Sequence, residues 1–406
     1  MWCQPIFGVV GCFMKCTLKG QLLAAVGRDA NNGMYPFAWA VVDVENEENW
    51  TWFFKLLKAD FNLQEGQGYT IISDRQKGLL NAVQNVFPHI EHRMCARHIY
   101  GNLKKLFPNQ SDMKALFWRV AESFTEPEYR ANIESVKNYD IRLYEAMMEK
   151  NPQNCSLAYF SPAASCVDVH NNISESFNNA IDPARYMPMV EMLETIRRKT
   201  MVRIDQRMKE GLNHQGRFTV RAVEWIEAEQ KKLRYCVMVP GANARDEMPE
   251  SGVSYSVNMR LKTCACRRWD MSGLPCRHAL RIIAERKLNH EDHISHWFLN
   301  SRQQQIYGYS INPVNGMLFW GRSGSKVLPP PSLVEEIENR VGRKPKPKKR
   351  RQGMSLHKRR RHLEKKESCI VVVVVKLATM QPNVRIWYWK PAKKQEREQM
   401  QERRGK

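Results

Sequence analysis

Apolar runs set the first pattern in the chain. Residues 6–13 (IFGVVGCF) and 21–27 (QLLAAVG) are short apolar stretches bounded by Gly or polar positions, the signature of buried strands. A third run follows at 36–44 (PFAWAVVDV), and the intervening Arg28–Gly33 (RDANNG) is dense in Asp, Asn and Gly. That segment predicts a hairpin turn, and three strands in succession predict an antiparallel meander. The period then changes. In NEENWTWFFKLLKADF, Trp50, Phe53, Phe54 and Leu57 recur at helical spacing behind acidic first-turn residues, which suit the positive end of a helix. Residues 69–73 (YTIIS) predict a fourth strand ending at Asp74, and 76–86 a helix with Leu79, Leu80, Val83 and Val86 on one face. A short strand near His89–Glu91 precedes a helix starting around Cys95.

This order of three strands, helix, strand, helix, strand, helix is that of an α/β, ribonuclease H-like fold. Residues 113–150 and 188–234 are rich in Met, Leu, Glu and Arg with few breakers, so both predict helices. The stretch MVEMLETIRRKTMVRIDQRMK reads as a packed surface helix, for which a DNA-facing role is not required. From about Tyr255 (YSVNM) β signals return, and 328–347 (LPPPSLVEEIENRVGRKPKP) reads as a Pro-rich linker. No internal repeat is evident. The expected organisation is a ribonuclease H-like core over 1–185, a helical extension over 186–245, a small zinc-stabilised module over 250–290, and a linker with a disordered basic tail over 325–406.

Charge sharpens this division. Of a formal net charge of +22, the stretch from Gly342 onward carries 22 Lys/Arg against 5 Asp/Glu, a net of +17, which leaves +5 on the preceding body. Such a basic excess favours a polyanionic partner, with nucleic acid the usual one, although a solvated tail or a nuclear import signal has the same composition. No apolar run approaches the roughly 18–20 residues needed to span a membrane, the longest being Ile370–Val375. Eleven cysteines without regular pairing, and no secretory signal, point to a reducing intracellular compartment. There, close cysteines more often mean metal than disulfide.

Close cysteines do occur. Cys264-Ala-Cys266 is followed after nine residues by Cys276-Arg-His278. Each pair places two soft or borderline donors side by side, and together they supply the four ligands of a closed tetrahedral zinc site. The intervening WDMSGLP lets the chain reverse and bring the pairs together. With no fifth donor in the motif, the expected role of Zn²⁺ is structural.

The segment CACRRWDMSGLPCRHAL, including Trp269, Gly273, Pro275 and Ala279, resembles the SWIM zinc finger. Upstream, GQLLAAVGRDANNGMYPFAWAVV, IISDRQKGLLNAV, CARHIYGNLKKLF and NNISESFNNAIDPARYMPMVEML resemble Mutator-like element transposases, in which a SWIM finger commonly follows the core. The likeness covers about residues 6–345. It implies a catalytic set of two aspartates and a glutamate that holds two divalent ions for phosphodiester chemistry. The second aspartate matches Asp74 and the glutamate matches Glu175, with Asn171, Asn172 and Asn178 around it. The first aspartate falls on Val10, which cannot bind a metal. Asp29 in the hairpin turn and Asp43 at a strand end are no natural substitutes. Asp74 and Glu175 are therefore expected to be vestigial, and Mg²⁺ is expected only if the core is active. On local pattern alone, Asp74 would be a helix N-cap and Glu175 a surface residue of an Asn-rich turn.

A second Cys/His group, Cys95-x-x-His98 with His92 nearby, also matches a family motif. Two ligands do not complete a zinc site, and Cys166 and His170 could do so only if the fold brings them close; packed helix residues are the expectation. Relative to the family, the chain opens directly on the first strand and reads as N-terminally truncated. In the tail, GRKPKPKKRR resembles an imperfect AT-hook interrupted by Lys344. It nominates Arg343, Lys344, Lys346, Lys348, Lys349, Arg350 and Arg351 for contacts to DNA in an A·T-rich minor groove. Beyond Ser368 no resemblance is apparent. The expected function is a transposase-derived, zinc-binding SWIM-finger protein acting on DNA or a protein partner in the nucleus. An active transposase and a pure protein-interaction module are the alternatives.

Overall fold

Continuous apolar runs belong in strands buried on both faces, and the meander is built that way. A computed structural model describes residues 3–16, 19–315 and 319, and two strands at 370–375 and 384–389. In it, β1 (Ile6–Phe13), β2 (Gln21–Arg28) and β3 (Met34–Val42) pair antiparallel, with Ala24 opposite Val10 on one side and Trp39 on the other. Every residue of β2 is buried. The β2–β3 hairpin is closed by Asp29, whose Oδ1 accepts the backbone N–H of Asn31 at 2.9 Å and of Gly33 at 2.6 Å. Its Oδ2 accepts the Tyr307 hydroxyl at 2.7 Å and the Gln303 amide at 3.3 Å. Four donors thus satisfy a fully buried carboxylate, as burial of such a group requires.

The helix-period segment becomes α1 (Glu47–Phe61), capped by the Asn46 side chain, which accepts the Asn49 N–H at 2.8 Å. It is followed by β4 (Thr70–Ser73), α2 (Lys77–Val86), β5 (Glu91–Met94) and α3 (Ala96–Leu106). β4 lies parallel to β1, and β5 parallel to β4, giving the order β3-β2-β1-β4-β5. Trp50, Phe53, Phe54 and Leu57 of α1 are all buried in the core under this sheet. Trp50 stacks on Phe54 with ring centroids 5.3 Å apart.

A second core forms where α3 meets α4 (Met113–Ala121), α5 (Glu126–Tyr139) and α6 (Ile141–Met148). α7 (Asn172–Ile181) lies across β1–β3. Gly8 makes that approach possible, because a Cβ there would overlap Asn171 Oδ1 and Ser174 Oγ. The long α8 (Met189–Asn213) and α9 (Val220–Gln230) lead to a small antiparallel sheet of β6 (Arg245–Glu250), β7 (Val253–Asn258) and β8 (Thr263–Cys264). Two short helices, α10 (Arg268–Ser272) and α11 (Arg277–Glu285), complete a third core around Trp269, Leu280 and Ile283. α12 (Asn300–Tyr307) packs on α8 and delivers Tyr307 to the Asp29 turn.

Several boundaries differ from the sequence expectation. The third strand ends at Val42, since Asp43 turns to accept the N–H of Val44 at 2.8 Å and the amide of Asn49 at 2.9 Å. The short strand is Glu91–Met94 rather than 89–91, because Phe87–Ile90 is a turn closed by Ile90 N–H to Phe87 O at 3.2 Å. Asp74 does not cap α2. The cap is Gln76, whose Oε1 accepts from Leu79 N–H, while Asp74 Oδ1 accepts from Gln76 N–H at 3.0 Å, one turn earlier in the approach. The 113–150 stretch is three helices, interrupted where Thr125 and Asp140 each cap the next one. The 188–234 stretch is α8, α9 and a 3-10 turn at Leu233–Tyr235, and strand structure begins at Arg245, ten residues before Tyr255.

Within the region expected to be disordered, β9 (Ile370–Val375) and β10 (Val384–Trp389) pair with each other, and β9 adds to the β3 edge with Val373 opposite Trp39. The Pro-rich linker and the AT-hook-like residues 343–351 lie outside the described residues. Among the described residues no helix is long and apolar enough to cross a membrane.

Replacing Trp50 by Ala deletes a fully buried indole that also donates to Glu45 Oε1 at 3.2 Å. The expected loss is about 3–5 kcal/mol of unfolding free energy, read as a lower midpoint in urea denaturation followed by circular dichroism.

Candidate metal centre

Cys264 is the last residue of β8 and is held there by Val257 across the ladder. Its N–H donates to Asp270 Oδ2 at 3.0 Å, and its carbonyl accepts from Arg267 N–H at 2.7 Å, which turns the chain so that Cys266 faces the same way. Cys276 is the N-cap of α11, and His278 lies in that helix's first turn. The reversal between the two pairs depends on Gly273, which has φ +73° and whose missing Cβ would collide with Ser295 Cβ at 2.8 Å. Only glycine meets both demands without strain. The ligand atoms of Cys264, Cys266, Cys276 and His278 then lie within 4.8 Å of one another, all four residues buried. This is the donor set and closure of a structural tetrahedral zinc site.

The protons of the cluster show what it demands. Hydrogen bonds from Cys264 and then Cys276 hold the Cys266 thiol far below its usual range. Cys264 is pushed up, first by sharing a proton with Cys266, and Cys276 is pushed up by burial. Three adjacent thiolates in so buried a pocket need a cation to offset their charge.

Side chains around the cluster orient the histidine. His278 Nδ1 lies 3.4 Å from Cys264 Sγ, while Nε2 lies 3.0 Å from Glu250 Oε2. A carboxylate can only accept, so Nε2 carries the hydrogen and Nδ1 presents its lone pair to the sulfurs, the arrangement typical of metal-bound imidazoles. Glu250 is held by the Arg277 guanidinium at 2.9 Å, and the Tyr255 ring stacks on His278 with centroids 4.5 Å apart. Cys236 also gathers with Glu250 and His278, but burial pushes its thiol up to about 11. The module docks on the helical core through Arg267, whose guanidinium donates to the carbonyls of Phe124 at 2.9 Å, Leu157 at 3.1 Å and Phe160 at 2.7 Å, and also of Ala158. Glu250 lies outside the finger motif and Arg267 within it, and the pattern of ligands gives a role to neither.

The residues matched to a catalytic set are arranged differently. Val10 stands mid-strand in β1 and packs with the apolar core. Asp74 follows β4, and Glu175 sits in the first turn of α7, paired with Arg97. Both carboxylates lie in reach of His98, whose pKa is raised first by a hydrogen bond with Cys95 and further by these two charges, against the effect of burial. Asp29 is committed to its turn, and Asp43 is exposed at the end of β3, so neither replaces Val10. Unforeseen from the sequence, the Glu45 carboxylate occupies the space where Gly11 of β1 lacks a side chain. Burial, then the charge of Asp74, raises its pKa.

The asparagines near Glu175 form no hydrogen-bond network around it among the described residues, and Asn172 is exposed. Asn171 donates its amide to Val9 O at 3.0 Å and its backbone N–H to Cys95 Sγ at 3.2 Å, and Asn178 Oδ1 is buried without a hydrogen-bond partner. The Cys95–His98 pair is joined by Glu175, the ligand atoms falling within 4.8 Å, and not by Cys166 or His170. Cys166 packs with Ile6 and Ala164, and the His170 ring meets Trp118 edge-on at 6.0 Å. His92 bonds Ser73 Oγ at 2.7 Å and is pushed down to about 4 by burial.

Against family models, residues 9–102 match the MULE transposase domain and residues 255–287 match the SWIM zinc finger. The chain therefore carries a MULE transposase domain followed by a SWIM zinc finger. No curated protein matches the chain.

Cys276→Ser is expected to lower zinc content and unfold the 255–290 region, as measured by elemental analysis and limited proteolysis; unchanged stoichiometry would exclude the assignment. Glu250→Gln keeps the fold but loosens the histidine, so zinc affinity should fall by about 10–100-fold in competition with a chromophoric chelator. Unaltered affinity would reduce Glu250 to a partner of Arg277.

Proposed function

We propose that this chain is a transposase-derived DNA-binding protein of the nucleus, in which Cys264, Cys266, Cys276 and His278 hold a structural Zn²⁺ and the former catalytic core serves as a scaffold. The core, in this reading, is ribonuclease H-like: the β3-β2-β1-β4-β5 order with parallel β1, β4 and β5 and intervening helices supports it. The observation that carries the loss of catalysis is Val10, a half-buried apolar residue packed against the core at the mid-strand position where the family resemblance implies the first metal-binding aspartate. Two-metal phosphodiester chemistry needs carboxylates that bridge both ions. Asp74 and Glu175 alone do not supply that set, and Glu45 reaches β1 over Gly11 as a half-buried carboxylate with a raised pKa.

Affinity for DNA in this reading comes from the basic excess beyond Gly342, through phosphate contacts that release counterions. The transposase domain supports nucleic acid as the partner. Zinc contributes folding free energy to the finger rather than chemistry.

The test is DNA binding by the full chain across a salt series, beside a full-length variant with Arg343, Lys344, Lys346, Lys348, Lys349, Arg350 and Arg351 replaced by Gln. The variant should bind weakly, with a salt slope shallower by about six. Equal binding by both would move the interface to the finger or the core. Neither protein should nick or join DNA with Mg²⁺ or Mn²⁺. Nicking that is lost in Asp74→Asn would restore the enzyme reading.

A further inference from the structure

A second group of metal-ligating side chains lies outside the finger, and the proposed function does not use it. Cys95 is the N-cap residue of α3, and its backbone N–H is pinned to Ser73 O at 2.8 Å at the end of β4. His98 stands three residues on, so its ring comes back over the cap. Glu175 arrives from the first turn of α7, which Gly8 lets settle against β1. The Cys95 sulfur, a ring nitrogen of His98 and a Glu175 oxygen lie within 4.8 Å of one another.

We propose that these three side chains form a second zinc site, a staple between α3 and α7. The chemistry of the donors selects the ion. One sulfur, one imidazole and one carboxylate suit Zn²⁺ or Co²⁺, whereas Mg²⁺ demands an oxygen shell. A thiolate and a carboxylate balance the two charges of the ion, and water supplies the fourth ligand that zinc expects. The surroundings are those of a supported ligand set. The Asn171 N–H donates to Cys95 Sγ at 3.2 Å, and Arg97 binds Glu175 through Oε2, one of the two oxygens its carboxylate offers. Cys95 is fully buried and therefore fixed, while His98 is exposed and opens the site to an entering ion.

This assignment gives Glu175 a present role. The residue that the family resemblance implies as a catalytic carboxylate becomes a structural ligand. It holds α7 to the end of the sheet at which Asp74 also stands. Two different classes of ion thus distinguish the two roles: oxygen-seeking Mg²⁺ for a surviving catalytic pair, sulfur-tolerant Zn²⁺ for the staple.

The experiment counts metal in the full-length protein. After loading with Zn²⁺ and removal of free ion, elemental analysis of the wild type should give two equivalents per chain, and His98→Gln and Glu175→Gln should each give one. His98 is exposed, so its variant tests the proposal even if Cys95→Ser fails to fold. One equivalent in the wild type and none in His98→Gln would still support the staple and would instead empty the finger. Equal content in wild type and both variants, whether one or two equivalents, would overturn it. So would a second ion that excess Mg²⁺ displaces. In Co²⁺-loaded protein, the spectrum lost on going from wild type to His98→Gln should carry a single-thiolate charge-transfer band; no difference between the spectra would likewise sink the proposal.

Discussion

Three thiols and an imidazole lie buried within 4.8 Å of one another, a group that can carry three thiolates in a protein interior only with a compensating cation. The rest of the small module follows from that constraint. β8 presents Cys264, the cap of α11 presents Cys276, and Gly273 closes the distance between them. Glu250 turns the imidazole so that Nδ1 faces the sulfurs. The apolar residues of this region gather around Trp269, Leu280 and Ile283, with Phe218, Ile226 and Phe298 beside them. A structural ion adds its own folding free energy to that core by joining the two ligand pairs.

Arg267 makes the finger part of a larger body. It sits beside Cys266 in the left-handed region, at φ 57°, and directs its guanidinium onto four carbonyls of the helical core. Met271 of α10 joins that same core. The finger's fold and its docking thus share one loop. Loss of metal would disturb not only the module but also the carbonyl cradle at residues 124–160.

The meander, the following alternation of helices and strands, and the four finger ligands were legible because each rests on local pattern. Long apolar runs, helical spacing in Trp50, Phe53, Phe54 and Leu57, and paired C-x-C and C-x-H spacings all act over a few residues. Boundaries failed where a polar side chain redirected the backbone, as Asp43 does after β3 and Gln76 does before α2. The meeting of Glu175 with Cys95 and His98 was not legible, since it depends on how α7 crosses β1 at Gly8. Cys166 and His170 are nearer in chain order to Glu175, yet packing takes them elsewhere.

By itself the sequence determined the α/β order, the basic excess beyond Gly342, the zinc-finger donor set and the absence of a metal-binding side chain at position 10. These are properties of residue identity and short spacing, and no fold can alter them. Only the tertiary structure decided which carboxylate meets which partner. Glu250 at the end of β6 reaches His278 in α11, Glu45 fills the gap at Gly11, and Asp29 is enclosed by donors from α12. Each of these depends on chain segments far apart in sequence being brought together by burial of apolar surface, a force that is nondirectional. Where each polar group then comes to rest is set by the need to satisfy it in the space that remains.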